Sequence, residues 1–156
     1  MKAKVQVTVS EADFDQATLA TWLQTNGERH GAIVTFTGLV RDWATGGLTG
    51  LFIEHYPGMT ERALTDVAEK VAAQWNVSAV NVVHRIGMLG LNAQIVFVGV
   101  AASHRKEAFS CAEQIMDYLK RDAPFWKKEC APSGDTWVEQ KASDLEAAKR
   151  WQREES

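Results

Sequence analysis

Cysteine is scarce in this chain: Cys111 and Cys130 are the two present in 156 residues. They form neither a CxxC pair nor a disulfide framework, which points to a reduced, cytoplasmic protein. No stretch approaches the roughly 20 apolar residues of a membrane span. The opening "MKAKVQVTVS" has a charged start but lacks the apolar run of a signal peptide. Excess positive charge is also missing. The net charge is -3 and the isoelectric point about 5.8, which argues against general nucleic-acid binding. There is no P-loop, GxGxxG, HExxH or GxSxG pattern, so no ATP or nicotinamide site is expected. No histidine stands at metal-ligand spacing from another His or Cys, so neither a metal nor a cofactor is expected.

What is present is an ordinary globular composition, 46% hydrophobic and 24% charged. Its length suggests one domain over residues 1–156, with a core that needs no staple. Six tryptophans are many for this size. Trp43, Trp126 and Trp137 lie near turn signals, at the rim of a pocket or interface.

The alternation of Val5, Val7 and Val9 predicts a half-buried strand. Residues 11–26 read as a helix stopped by Gly27. Residues 31–40 and 51–56 read as strands joined by the Gly-rich, mobile loop "RDWATGGLTG", together a long hairpin. Residues 57–75 predict an amphipathic helix with Met59, Leu64, Val67, Ala68 and Val71 on its apolar face. "AVNVVHRIG" is a strand, "MLGLN" a turn, and "AQIVFVGVAAS", the most apolar strand, is central. Residues 104–120 form a helix that ends before Pro124, because proline disfavours helical geometry in the preceding residue. "FWKKECAP" and "DTWVEQ" resemble a closing hairpin, and residues 143–156 a charged helix with Ser143 as cap. The order β-α-β-β-α-β-β-α-β-β-α gives a single α+β domain with a mixed or mainly antiparallel sheet.

Two places can hold an anion. The segment "MDYLKRDAPFWKKE" gathers Lys120, Arg121, Lys127 and Lys128 around a proline break. If a helix end and a returning strand bring Lys120 and Lys127 together, each disfavours the other's charge, and burial lowers a lysine further. Such a lysine serves as acid, base, nucleophile or anion holder; the alternative is two exposed surface lysines. The second place is "AASHRKEAF", where Ser103 can cap a helix opened by His104 and Arg105. Cations in a first turn oppose the helix dipole, a conflict a bound phosphate relieves; the alternative is a solvated helix start. Arg41 enters the Gly-rich loop and either meets an anion or solvates the hairpin. His55 and His84 read as hydrogen-bonded structural histidines, and His30 has no partner in view. Cys111 reads as core. Cys130 follows cations that lower a thiol pKa.

The segments "GAIVTFTGLVRD", "IEHYPGMTERAL", "VVHRIGML", "IVFVGVAASHRKEAF", "IMDYLKRDAPFWKKE" and "AAKRW" strongly resemble the MoaE family of molybdopterin synthase large subunits. The resemblance spans roughly residues 31–151, with similar order and spacing. It implies an α/β hammerhead fold with an added antiparallel β subdomain. It further implies sulfur transfer to cyclic pyranopterin monophosphate (precursor Z), forming the dithiolene of molybdopterin. The sulfur arrives on the thiocarboxylated Gly-Gly tail of a small ubiquitin-like partner, and two large subunits form the centre of a heterotetramer. Neither nucleic acid nor membrane is implied as a partner. Lys120 and Lys127 match the two active-site lysines. His104 and Arg105 match a substrate-binding pair contributed across the dimer. Arg41 matches the basic residue of the first hairpin, Leu39 and Val40 stand beside it in the substrate-binding set, and Lys128 and Glu129 complete the segment lining the site. The family often carries a basic residue where this chain has Leu39, which leaves a backbone contact there. Two other readings stay open: a sulfurtransferase using Cys130, and a non-enzymatic anion- or RNA-binding module.

Overall fold

The computed structural model describes residues 2–139 and 141–155. Its elements run β1 (Lys4–Ser10), α1 (Gln16–Asn26), β2 (Ala32–Leu39), β3 (Gly50–His55), α2 (Met59–Trp75), β4 (Ala79–Arg85), β5 (Gly87–Gly90), β6 (Gln94–Ala102), α3 (Arg105–Asp122), β7 (Phe125–Cys130), β8 (Thr136–Trp137) and α4 (Ala142–Glu155). Gln140 and Ser156, placed above in the closing hairpin and terminal helix, lie outside the described residues. The strands make two four-stranded sheets, ordered β1-β4-β6-β2 and β5-β3-β7-β8. The first is mixed, because β1 runs parallel to β4 while the β4–β6 and β6–β2 pairs are antiparallel. The second is antiparallel throughout. This is the α+β architecture expected, a mixed sheet with an added antiparallel one.

The two inner strands of the first sheet are apolar on both faces because both faces are covered. Val80, Val82, Val98 and Val100 point to α2 and α3, where Leu64, Ala68, Cys111 and Ile115 complete the main core. Ala79, Val83, Phe97 and Ala101 face α1 and pack on Leu23. Gly99 permits that approach, since a Cβ there would clash with Leu23 Cδ1. A third cluster, Val40, Leu48, Ile53 and Leu89, fills the space behind the second sheet.

Several expectations need correction. Residues 31–56 are not a hairpin: β2 pairs with β6, whereas β3 pairs with β5 and β7 in the other sheet. Both strands are rich in β-branched and aromatic residues, and that composition does not choose a partner. The connecting loop is tied down rather than mobile. Asp42 Oδ1 accepts from the N–H groups of Trp43 (2.7 Å) and Leu48 (2.9 Å), and Leu48 is buried. "MLGLN" is mostly strand, because β5 pairs with β3 and buries Leu89. The first helix starts at Gln16, capped by Asp15, whose carboxylate accepts from Ala17 N–H at 3.0 Å. In α2 Met59 is 62% exposed, and Thr60 takes its place on the buried stripe. The Thr60 hydroxyl accepts from Tyr56 N–H (3.0 Å) and donates to the Pro124 carbonyl (3.3 Å). His104, not Ser103, occupies the cap position of α3, with extended backbone and no side-chain cap bond. Ser103 instead donates to the Arg29 carbonyl at 3.1 Å. Ser143 lies inside α4, not at its cap.

The last helix closes the main core. Trp151 is buried, meets Trp75 edge-on at 6.1 Å, and donates its indole N–H to Asp117 at 2.7 Å. Arg150 reaches Glu113 at 3.0 Å. Trp151→Ala is therefore expected to lower unfolding stability by about 3–5 kcal/mol in urea titration. A loss below about 1 kcal/mol, the scale of an ordinary surface change, would mean that α4 is peripheral to the core.

Candidate active site

The C-terminus of α3, the Pro124 break and β7 meet at one edge of the second sheet. Alternation along β7 puts Phe125, Lys127 and Glu129 on one face and Trp126 and Lys128 on the other. The first face looks inward: Lys127 stands opposite Ile53 in register, and Ile53 belongs to the third apolar cluster. Lys127 is consequently half-buried, while Lys120 is exposed on the last turn of α3. Burial is the main cause that holds the Lys127 ammonium below the ordinary lysine value of 10.5, and the positive charge of Lys120 is next. Asp144, at the start of α4, acts in the opposite sense, and Lys141 adds to the lowering. The fold thus brings Lys120 and Lys127 within electrostatic reach of each other.

His84 lies beneath this pair. It is 5% exposed, and its ring stacks on Phe125 with centroids 3.8 Å apart and planes 19° from parallel. Burial, then Lys127, push its pKa down to about 3, and Lys120 adds to the effect. In the sequence His84 reads as a hydrogen-bonded structural histidine, and no local pattern connects it with the lysines. The available signal is a histidine in β4, a strand whose other side chains are nearly all buried.

Glu129 ties a further segment to this face. Its Oε2 accepts the Trp43 indole N–H at 2.8 Å, which draws in the loop that carries Arg41. Arg41 and Leu39 are exposed. Val40 offers the site little, because its side chain is buried, its N–H bonds Ala93 and its carbonyl bonds Asn92.

Two of the expected site segments fall elsewhere. Lys128 occupies the outer face of β7, 5.3 Å from the ring centroids of both Phe52 and Trp137 and 4.0 Å from Asp135. His104 and Arg105 sit at the opposite end of α3 from Lys120, about 22 Å away along a helix that rises about 1.5 Å per residue. There they line an open groove of about 530 Å³ with Gly31 and Ser103. On the outer face of the second sheet Trp126 and Trp137 line a groove of about 480 Å³ with His55 and Tyr56, as their position near turn signals suggested. Cys111 is core, its thiol pushed up to about 12 by burial. Cys130 is also buried and directs its thiol at the Lys128 carbonyl, 3.7 Å away.

The family model described as "MoaE protein" matches residues 9–122. The molybdopterin synthase catalytic subunit of Escherichia coli (strain K12) is 47% identical over 150 residues, covering 96% of this chain and 99% of that protein. Among solved structures, the molybdopterin biosynthesis MoaE protein from Burkholderia ambifaria MC40-6 superposes with a TM-score of 0.82 at 41% identity, covering 94% of this chain and 97% of that one. The protein–protein complex of subunits 1 and 2 of molybdopterin-converting factor from Helicobacter pylori 26695 shares the fold, with a TM-score of 0.69 at 18% identity and coverage of 88% and 91%.

Lys127 makes stability depend on pH in a definite direction. Its folded pKa lies below the unfolded value of 10.5, so between the two the unfolded chain binds more protons and stability rises with pH. Lys127→Met removes the buried charge. It is expected to be more stable than the parent at neutral pH, with a gain that shrinks as pH rises towards 10.5. Denaturant titrations across that range check this, and a gain independent of pH would contradict it.

Proposed function

The chain belongs to the MoaE protein family and is an enzyme of molybdenum-cofactor biosynthesis; on that premise we propose that it transfers sulfur from the thiocarboxylate tail of a small ubiquitin-like partner to cyclic pyranopterin monophosphate. The observation that carries this reading is the meeting of Lys120 and Lys127 at the α3–β7 junction, with Lys127 partly withdrawn from water. Both reactants are anionic, the donor as a thiocarboxylate and the acceptor through its phosphate. Fixed cations placed where charge develops are the strongest device available to a site that uses no metal. Lys120, exposed at the helix end, positions the thiocarboxylate and polarises its carbonyl. Lys127, with its lowered pKa, assists proton transfer at the pterin side chain.

Arg41, His104 and Arg105 anchor the phosphate in this reading. The last two lie too far along α3 to reach Lys120 of their own chain, so a second copy supplies them. The edge strand β2 supports such pairing, since Ile33, Phe36 and Leu39 are exposed along it and Phe109 is exposed on the first turns of α3. The partner follows the Helicobacter pylori assembly of two subunits, whose subunit of the same fold supplies the analogy.

Lys120→Ala is expected to fold and bind the thiocarboxylated partner while losing dithiolene formation by about a hundredfold or more, the equivalent of about 2.7–4 kcal/mol. Mass analysis of product after incubation with precursor Z checks this, and normal turnover would remove Lys120 from the mechanism. Arg105→Ala is expected to raise KM first. Mixing the Lys120→Ala and Arg105→Ala proteins under conditions of subunit exchange, at a substrate concentration where each alone is slow, should restore roughly a quarter of parental activity if each site draws on two copies. No recovery despite confirmed exchange would place both residues in one chain's site.

A further inference from the structure

The His84 ring is held in one tautomer. Its Nδ1 lies 2.8 Å from the Arg85 carbonyl oxygen, and a carbonyl only accepts, so Nδ1 carries the proton. Nε2 is therefore a bare lone pair, and it finds no hydrogen-bond donor among the described residues. Nε2 is not among the enclosed polar atoms that lack a partner, so this edge of the otherwise buried ring keeps access to solvent.

The neighbours of the ring show what that acceptor faces. Val80, Val82 and His84 share one face of β4, the face turned towards α2 and α3. Phe125 covers the imidazole at 3.8 Å. Two residues further along the same face of β7 comes Lys127, a cation with protons to donate. A charged imidazole would add a third positive group beside Lys120 and Lys127. A neutral one adds only an acceptor.

We propose that His84 is a positioning residue for Lys127: one water bridges its Nε2 lone pair to the Lys127 ammonium, and so fixes where that ammonium stands. Phe125 clamps the ring from the β7 side, and the Arg85 carbonyl sets its tautomer. The burial that keeps the ring neutral also keeps Nε2 an acceptor at physiological pH. The catalytic consequence rests on the role proposed above for Lys127; the contact itself does not.

Nitrogen NMR of the whole protein labelled with ¹⁵N-histidine tests the contact without reference to activity. Across about pH 5 to 8, the span in which ordinary histidines titrate, His84 is expected to keep Nδ1 protonated and Nε2 bare. Lys127→Met should shift the His84 Nε2 resonance while leaving its Nδ1 and the other three histidines in place. An Nε2–H tautomer, or an Nε2 signal indifferent to Lys127→Met, overturns the proposal. In turnover assays His84→Phe keeps the ring stack but offers no lone pair, and is expected to lower kcat about tenfold or more with KM little changed. His84→Gln, whose side-chain oxygen can accept, should recover part of that loss. Parental kcat in His84→Phe, or equal losses in two folded variants, would reduce His84 to packing. If either variant fails to fold, the nitrogen spectra decide. If the protein proves inactive in sulfur transfer, those spectra still separate a wrong contact from a wrong function.

Discussion

The structure turns on the placement of one positive charge near another with water partly excluded. Lys127 is on the inner face of β7 because a strand alternates, and Pro124 ends α3 just before that strand begins. Shifting the register by one residue would put Lys128 inside and Lys127 among the aromatic rings outside. The junction is fixed from a third side by Thr60, whose hydroxyl joins the start of α2 to the Pro124 carbonyl. The fourth helix, locked through Trp151, brings Asp144 towards Lys127. Elements distant in sequence thus control the ionisation of a single amine.

Much of this was legible in the chain before any coordinates. The helices, the central apolar strand and the break at Pro124 follow from periodicity and proline chemistry, and each element appears close to its expected place. The convergence of Lys120 and Lys127 was readable as a possibility, since a helix end and a returning strand flank the same turn. Strand partnership was not readable: β2 and β3 are neighbours in sequence, yet they belong to different sheets. Alternation reports which face is buried and not which strand lies beside it. For the same reason "KK" at 127–128 reads as one cationic patch but divides into an inner and an outer lysine. His84 escaped notice because its partners come from β7, forty residues or so away in sequence, and no local pattern announces a long-range contact.

The rival readings lose support on the same geometry. A sulfurtransferase built on Cys130 would need a reachable thiol, and this one is buried against its own strand. A general anion- or RNA-binding surface would gather its cations on one face. Here Lys127, Lys128 and Arg105 point to three separate places, and Lys120 joins Lys127. The separation of His104 and Arg105 from the lysines is instead what a site shared between two copies requires.

The most direct test of the central claim is the titration of the Lys127 amine by NMR in the parent and in Lys120→Met. Convergence predicts a Lys127 midpoint below the ordinary 10.5 in the parent and a rise once the neighbouring charge is removed. An ordinary midpoint that ignores Lys120→Met would mean that the two lysines do not share a site.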